Sequence, residues 1–435
     1  MAEVLVLRLH DTVVGELRQG QDRSRVQLTV NPGYDASGIT LTEGFPVIAG
    51  TEPPSDAVSN FLGGYVPEGN HRNVMASRRG IDPADLMGLL REFGGSMAGA
   101  VTIRAVEPAA PERATGYLEE LTPESLADRL RQALRDTDQG VPDDSRSTLP
   151  GFQPKVLARK TTNGWAQPHG ITHSTHILKP QVPHRATRLI DEHYGHLLAN
   201  HAGLANFTSE LCEADGVTFL SIERFDRRVG DDGTVKLVHQ EDAAQALRLD
   251  WRTADAKFQD WNWVDNPARP SAALVAELLA SIPGGSALVE AWIRRLVFSL
   301  VLGDNDAHAK NIALLHTEKG TSLAPAYDTV PNLYQRDMID EGFRLAFAVN
   351  GSFDHRRGSV DSITSEVESW RVLAPNRARP LVQAAVQMCA DAILHVRPPG
   401  GISNGLVDKL NWTVNQLVAG SEIGTSPWQD GAPRT

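Results

Sequence analysis

The stretch Gly303-Asp304-Asn305-Asp306-Ala307-His308-Ala309-Lys310-Asn311 decides the reading of this chain. It lies between an apolar helical run, Ala287–Leu302, and an apolar strand-like run, Ile312–Leu315. Gly303 stops the helix, as glycine does at helix C-termini. Polar groups this dense, at a loop between two apolar elements, point to a site carried on a rigid scaffold. Asp306 and Asn311 are five residues apart. A loop that short holds a carboxylate and an amide oxygen close together. The carboxylate can take a proton from a hydroxyl while the amide oxygen reaches a hard cation. Taken singly, Asp304, Asp306 and Asn311 each read as a cap or turn former. Taken as a set, with Asp328 downstream, they read as a site.

The catalytic loop of protein kinases uses the same Asp-x-x-x-x-Asn spacing. Such a site needs a second carboxylate after the next strand pair. Asp328, in Leu323-Ala324-Pro325-Ala326-Tyr327-Asp328, stands there, although Thr329 and Val330 follow it. Asn311 and Asp328 would together hold Mg²⁺. His308 suits orienting Asp306, binding phosphate or plain packing. A strand lysine for the nucleotide phosphates is Lys179, ending Thr175-His176-Ile177-Leu178-Lys179, and Glu192 in the following helix is placed to hold it. The loop Ser145–Lys155 precedes that lysine and contains Gly151 and Lys155; the GxxxxGK[ST] spacing is absent, so it is no Walker A loop. Ile222–Arg227 ends an apolar strand, Val217–Ile222, and is hinge-like, suiting backbone contacts to adenine. Gln240-Glu241-Asp242 opens the helical half and equally suits a helix cap.

The remainder of the chain supplies the frame. Strands are expected at Val4–Leu9, Val26–Thr29 and Ala100–Arg104, and a helix over Pro83–Phe93 stopped by Gly94-Gly95. Pro108–Arg113 reads as a connector. Thr122-Pro123-Glu124 opens a helix with Leu126, Leu130 and Leu134 on one face. A polar loop, Asp136–Ser147, follows. Lys155–Arg159 and Thr175–Lys179 flank Asn163-Gly164, a hairpin signal. From about Ala243 the pattern is helical, with Ala272–Ser281 a clear case. Gly420–Thr435, rich in Gly, Ser and Pro, is expected to fray.

With 435 residues, two or three packed units are expected. Hydrophobic content of 41% and charged content of 22% fit an ordinary globular protein. No apolar run reaches membrane-spanning length, and the alternating start reads as a strand rather than a signal peptide, so a cytoplasmic location without membrane attachment is expected. Cys212 and Cys389 are the two cysteines, with no CxxC, which argues against a disulfide framework or thiolate zinc site. A net charge of −12 argues against general nucleic-acid coating; Arg129, Arg131 and Arg135 form at most a local basic patch.

Together these pieces resemble the HipA family of kinases over nearly the whole chain. The resemblance rests on Gly151-Phe152-Gln153-Pro154-Lys155, Thr175-His176-Ile177-Leu178-Lys179, Glu223-Arg224-Phe225-Asp226-Arg227, Gln240-Glu241-Asp242, Asp306-Ala307-His308-Ala309-Lys310-Asn311 and Tyr327-Asp328, in that order. Leu62-Gly63-Gly64-Tyr65-Val66-Pro67-Glu68-Gly69 and Gly99-Ala100-Val101 resemble the family's leading subdomain. The resemblance implies an α+β, two-lobed protein-kinase-like fold with a small N-terminal α+β subdomain and a mainly helical C-terminal lobe. The expected boundaries are a leading subdomain over 1–107, an N-lobe over 108–238, a helical C-lobe over 239–420 and a flexible tail over 421–435.

The resemblance further implies that Asp306 is the catalytic base, aided by His308. It places Asn311 and Asp328 on Mg²⁺, and Gly151, Gln153, Lys155, Lys179, His308 and Lys310 among the ATP-binding residues. Glu223, Arg224 and Phe225 form the adenine hinge, and Glu192, Gln240, Glu241 and Asp242 support the site. Family members phosphorylate aminoacyl-tRNA synthetases, notably the glutamyl enzyme, and so stall translation and growth and confer drug tolerance. A HipB-like DNA-binding antitoxin neutralises the kinase, and operator DNA is met only through that complex. A small-molecule kinase on the same fold, and an inactive co-repressor scaffold binding antitoxin and DNA, are the competing readings. A metal hydrolase using His308, Asp304 and Asp306 lacks a further histidine at ligand spacing.

One departure concerns regulation. Members are switched off by autophosphorylation of a serine three residues before the loop glycine. That position is Thr148 here, with Ser147 beside it and Pro150 stiffening the loop. A phosphate there adds nearly two negative charges beside bound ATP and should eject the loop. Mass spectrometry after incubation with Mg-ATP is expected to find phosphate on Thr148 or Ser147; a clean peptide from Ser145 to Lys155 would refute it.

Overall fold

Leu5, Leu7 and Leu9 alternate along the strand Leu5–Leu9 and all three are buried, as a period-two pattern with one solvated face requires. In a computed structural model of the chain, residues 3–35, 38–106, 116–136, 149, 153–183, 185, 187–334 and 343–427 are described. The opening strand joins a four-stranded sheet in the order Val26–Val30, Thr12–Gln19, Leu5–Leu9, Val101–Ala105, with every neighbour antiparallel. Helices Ser55–Gly63 and Leu86–Phe93 complete its core with Phe61, Leu62, Leu89 and Phe93. The second helix begins at Leu86, not Pro83: Asp85 accepts the Gly88 N–H at 3.0 Å and so acts as N-cap.

The chain packs as two compact units. The first comprises Met1–Val182, Thr208–Ala254 and Leu314–Thr321; the second comprises Pro183–Phe207, Asp255–Ala313 and Ser322–Thr435. This division is made by packing and does not follow the chain order of the expected boundaries at 107 and 238. Residues 208–254 pack with the N-terminal region, and helix Arg188–His201 belongs to the second unit.

A six-stranded antiparallel sheet lies in the first unit, ordered Tyr117–Leu121, Gly164–His169, Val156–Thr161, His176–Pro180, Val217–Glu223, Ser209–Ala214. The expected hairpin had the wrong partner. Thr161 pairs Gly164, and the returning strand is Gly164–His169 rather than the later lysine-bearing one. Helix Pro123–Asp136 starts where Thr122 caps it, with the Ser125 N–H 3.2 Å from Thr122 Oγ1. Leu126, Leu130 and Ala133 bury one face of that helix. Its arginines do not form an open basic patch: Arg129 pairs with Glu119 and Arg131 with Asp128 and Asp215.

The helical pattern expected from Ala243 begins with one turn, Ala243–Ala246, closed by a capping box between Asp242 and Gln245, and continues in longer helices from Ala272. In the second unit, helix Gly285–Leu302 is buried on most of its circumference by Trp292, Ile293, Val297 and Val301. It packs against Ala272–Ser281 and Ala378–His395. Gly303 ends it with a φ of +70°. A Cβ there would also meet the Tyr334 ring at 2.7 Å, so glycine is required twice over. The tail is corrected over 421–427. Ile423 N–H donates to Gly358 O at 2.9 Å, Gly424 N–H donates to Arg356 O at 2.8 Å, and the Ile423 side chain is buried. Residues 428–435 lie outside the described residues. Among the described residues no helix is long and apolar enough to cross a membrane.

A buried ionic cluster ties the first unit together. Asp226 accepts from Arg224 at 2.8 and 3.0 Å, from Arg227 at 2.8 Å and from the Gly99 N–H at 2.8 Å. Arg224 also donates to Ser174 Oγ, and Arg227 to Met97 O. Burial alone would raise the Asp226 carboxyl, but the two guanidiniums outweigh it and hold it far below the usual carboxylate range. A depressed carboxyl stabilises the fold above its unfolded value and loses that contribution as pH falls towards the folded one. Asp226→Ala is expected to cost about 3–5 kcal/mol, because two buried guanidiniums lose their partner. Urea unfolding is the check, and the wild-type advantage over the variant should shrink on acidification below the ordinary carboxylate range.

Candidate functional site

The site in the second unit is built from the end of helix Gly285–Leu302, the loop after it, and the segment around Asp328. Helix termination at Gly303 throws Asp304 inward, where it is buried. Its Oδ1 accepts the Asp306 N–H at 3.0 Å. The loop then closes on itself. His308 N–H donates to Asp306 O at 2.7 Å, Asn311 N–H to His308 O at 2.8 Å, and Asn311 Nδ2 to Asp306 O at 2.7 Å. Because its amide nitrogen is fixed in this way, Asn311 has its Oδ1 to offer a cation. The Asp306 side chain is 44% exposed and can meet an incoming hydroxyl. His308 Nε2 lies 3.6 Å from Asp306 Oδ1, which suits an orienting role, and the His308 ring meets Phe258 edge-on at 4.8 Å.

Two groups hold this loop from outside. Arg295, buried on the helix, donates to Asn311 O at 2.9 Å and faces Tyr327 O at 3.4 Å. The Tyr327 hydroxyl donates to Lys310 O at 2.7 Å, which ties the Asp328 segment to the loop. Asp328 itself has a φ of +53°, a left-handed conformation costly for a residue with a Cβ and characteristic of functional positions. Next to it, Thr329 presents its carbonyl to Gly195 of helix Arg188–His201. Any Cβ at 195 would collide with that oxygen.

The electrostatics bring the carboxylates together. Asp304 is raised well above the usual carboxylate range, first by burial and then by the charges of Asp306 and Asp328, while Arg295 opposes the rise. Both acids thus lie near enough to Asp304 to act on its charge. Burial in turn lowers Arg295. An oxygen-only donor set of clustered carboxylates and one amide matches a hard cation such as Mg²⁺ and suits Zn²⁺ poorly.

The first unit holds the other expected residues. Lys179 lies on His176–Pro180, and its neighbour strand Val156–Thr161 is paired with it from Val156↔Leu178 onwards. One step beyond that pair, Lys155 and Lys179 stand at the same end of adjacent strands, and both are largely buried. Gln153 brings a buried Oε1, with no hydrogen-bond partner among the described residues, to the same end of the strand Val156–Thr161.

In the hinge segment the Arg224 guanidinium is committed to Asp226 and Ser174, and its N–H donates to Thr175 O. Glu223 accepts from Thr208 through Oε2. Phe225 contributes its carbonyl to Arg228. Glu241 is fully buried and accepts from Thr42, the Glu43 N–H and His316 at 2.6–3.0 Å, so it anchors residues 42–43. Gln240 donates to Asp226 at 3.2 Å. Asp242 is the helix cap. Glu192 is fully buried on helix Arg188–His201 of the second unit, 3.8 Å from His196. Gly151, Thr148 and Ser147 lie outside the described residues.

Sequence reasoning passed over Arg295 and undervalued Asp304. The run Trp292–Leu302 carries two adjacent arginines: Arg294 is exposed, while Arg295 is buried, where burial demands a partner.

Comparisons with known proteins bear on family and fold. The family model for the HipA N-terminal domain matches residues 5–104, and that for the HipA-like C-terminal domain matches residues 147–393. The protein Y4mE of Sinorhizobium fredii is 31% identical over 286 residues, which cover 64% of this chain and 65% of that protein. The serine/threonine-protein kinase toxin HipA of Shewanella oneidensis is 25% identical over 359 residues, covering 81% and 80% of the two chains. The structure of the Shewanella oneidensis HipA, HipB and operator DNA complex aligns with a TM-score of 0.74 and 23% identity over 95% of this chain and 96% of that one, which shows the shared two-lobed α+β fold. With family models matched at both ends and the fold shared throughout, the chain belongs to the HipA family of serine/threonine-protein kinase toxins.

Proposed function

We propose that this chain is an ATP- and Mg²⁺-dependent serine/threonine protein kinase and the toxin of a HipBA-type pair. The observation that carries the reading is the clustering of Asp304, Asp306, Asn311 and Asp328 on one hydrogen-bonded loop and its tethered neighbour. Asp306 takes the proton of the acceptor hydroxyl as its oxygen attacks the γ-phosphorus; the bond to the β–γ bridging oxygen breaks and ADP leaves. Asn311 and Asp328 would hold Mg²⁺, whose chemistry is to neutralise charge on the phosphate oxygens. Asp304 and Arg295 position the loop rather than react. The family resemblance assigns phosphate contacts to Lys179, Lys155, Gln153, Gly151, His308 and Lys310, and backbone adenine contacts to Glu223–Phe225.

The acceptor suggested by the family is an aminoacyl-tRNA synthetase, the glutamyl enzyme first, reached in the cytoplasm. A HipB-like antitoxin is the proposed partner, supported by the complex in which the Shewanella oneidensis relative is found. Operator DNA would be met through that antitoxin. Phosphate on Thr148 or Ser147 would switch the enzyme off.

Purified wild type, Asp306→Asn and Asp328→Asn are expected to separate in ATP turnover, each variant falling by about 10²–10⁴-fold through loss of proton acceptance or cation binding. Asp306→Asn should also relieve growth arrest on expression. Equal, low turnover in all three proteins would mean that the fold serves as a scaffold without catalysis.

A further inference from the structure

A second constellation lies on the second unit, where the end of helix Arg188–His201 meets helix Ala378–His395. Asp391 and His395 are four residues apart on one helix and therefore share a face. His201 reaches them from the other helix. Its Nε2 is 2.9 Å from Asp391 Oδ2. His395 Nδ1 is 3.0 Å from Asp391 Oδ1 and 3.0 Å from Asp391 O. The two imidazoles lie nearly parallel, 5.9 Å between centroids and 16° between planes. All three side chains are exposed, and one donor atom from each lies within 4.8 Å of the others.

Two imidazoles and one carboxylate are the donor set of borderline divalent cations, and with a water they complete a tetrahedron. Bonds of about 2.1 Å to such an ion place the ligand atoms about 3.4 Å apart. The two His–Asp separations, one to each carboxylate oxygen, are already close to that, and the imidazole donor atoms lie within 4.8 Å of each other. Mg²⁺ prefers oxygen donors and waters and would not compete here.

We propose that His201, Asp391 and His395 form a surface site for a zinc-class divalent cation, with a water as the fourth ligand. The ion would clasp two helices, one of which carries Gly195 against the carbonyl of Thr329. The inference is independent of the kinase reading, since it uses none of the loop residues. Full-length protein stripped with chelator is titrated with zinc chloride in excess Mg²⁺, by calorimetry and by thermal melting. One zinc per chain and a rise in melting temperature of about 2–8 °C are expected. His201→Ala and His395→Ala should each weaken binding by tenfold or more while melting like wild type without metal. Should either variant fail to fold, Asp391→Asn, nearly isosteric, carries the comparison. Cobalt(II) should give the visible bands of a four-coordinate ion in wild type and lose them in the variants. No zinc bound by wild type, or undiminished affinity in the variants, overturns the site and leaves only a pair of His–Asp hydrogen bonds.

Discussion

Burial of the Asp304 carboxyl at the end of helix Gly285–Leu302 is the constraint on which the loop depends. Asp304 is raised well above its ordinary range, first by burial and then by the charges of Asp306 and Asp328, and Arg295 offsets only part of the rise. Carboxylates clustered in this way recur at functional sites. Gly303 turns the chain sharply off a buried helix, Asp304 fixes the Asp306 backbone, Asn311 ties its amide nitrogen back to Asp306, and Tyr327 brings the Asp328 segment against Lys310.

The first unit solves a different problem. Its N-terminal sheet must be joined to segments more than a hundred residues later, and it does so with buried charge. Asp226 binds two guanidiniums and the backbone of Gly99, and Glu241 binds Thr42, Glu43 and His316. Burying these charges is tolerable only because each is paired and hydrogen-bonded. Motifs that look like ligand contacts in the sequence therefore include residues whose work is to hold one part of the chain to another.

The difference between what could and could not be read from the sequence lies in range. Gly303, the Asp306–Asn311 spacing, the Thr122 cap and the helix Ala272–Ser281 depend on neighbours in the chain, and their residue types announce them. Strand Gly164–His169 was missed because Pro168 argues against a strand, and Gln167 and His169 are polar; all three are buried by partners on Val156–Thr161 and Tyr117–Leu121. The pairing of Arg224 with Asp226 could not be distinguished in the sequence from a charged strand end. The roles of Arg295 and Gly195 rest on contacts to Asn311, Tyr327 and Thr329, far along the chain. The packing of Ile423 beside Gly358 was likewise invisible in a composition that suggests fraying.

In the proposed reading the loop and the Asp328 segment jointly hold a divalent cation with a nucleotide. Mn²⁺ binding followed by electron paramagnetic resonance, with a non-hydrolysable ATP analogue present, probes that site. Nucleotide-dependent binding of Mn²⁺ to wild type, weakened at least tenfold in Asn311→Leu, is expected. Equal binding by the two proteins would rule the site out.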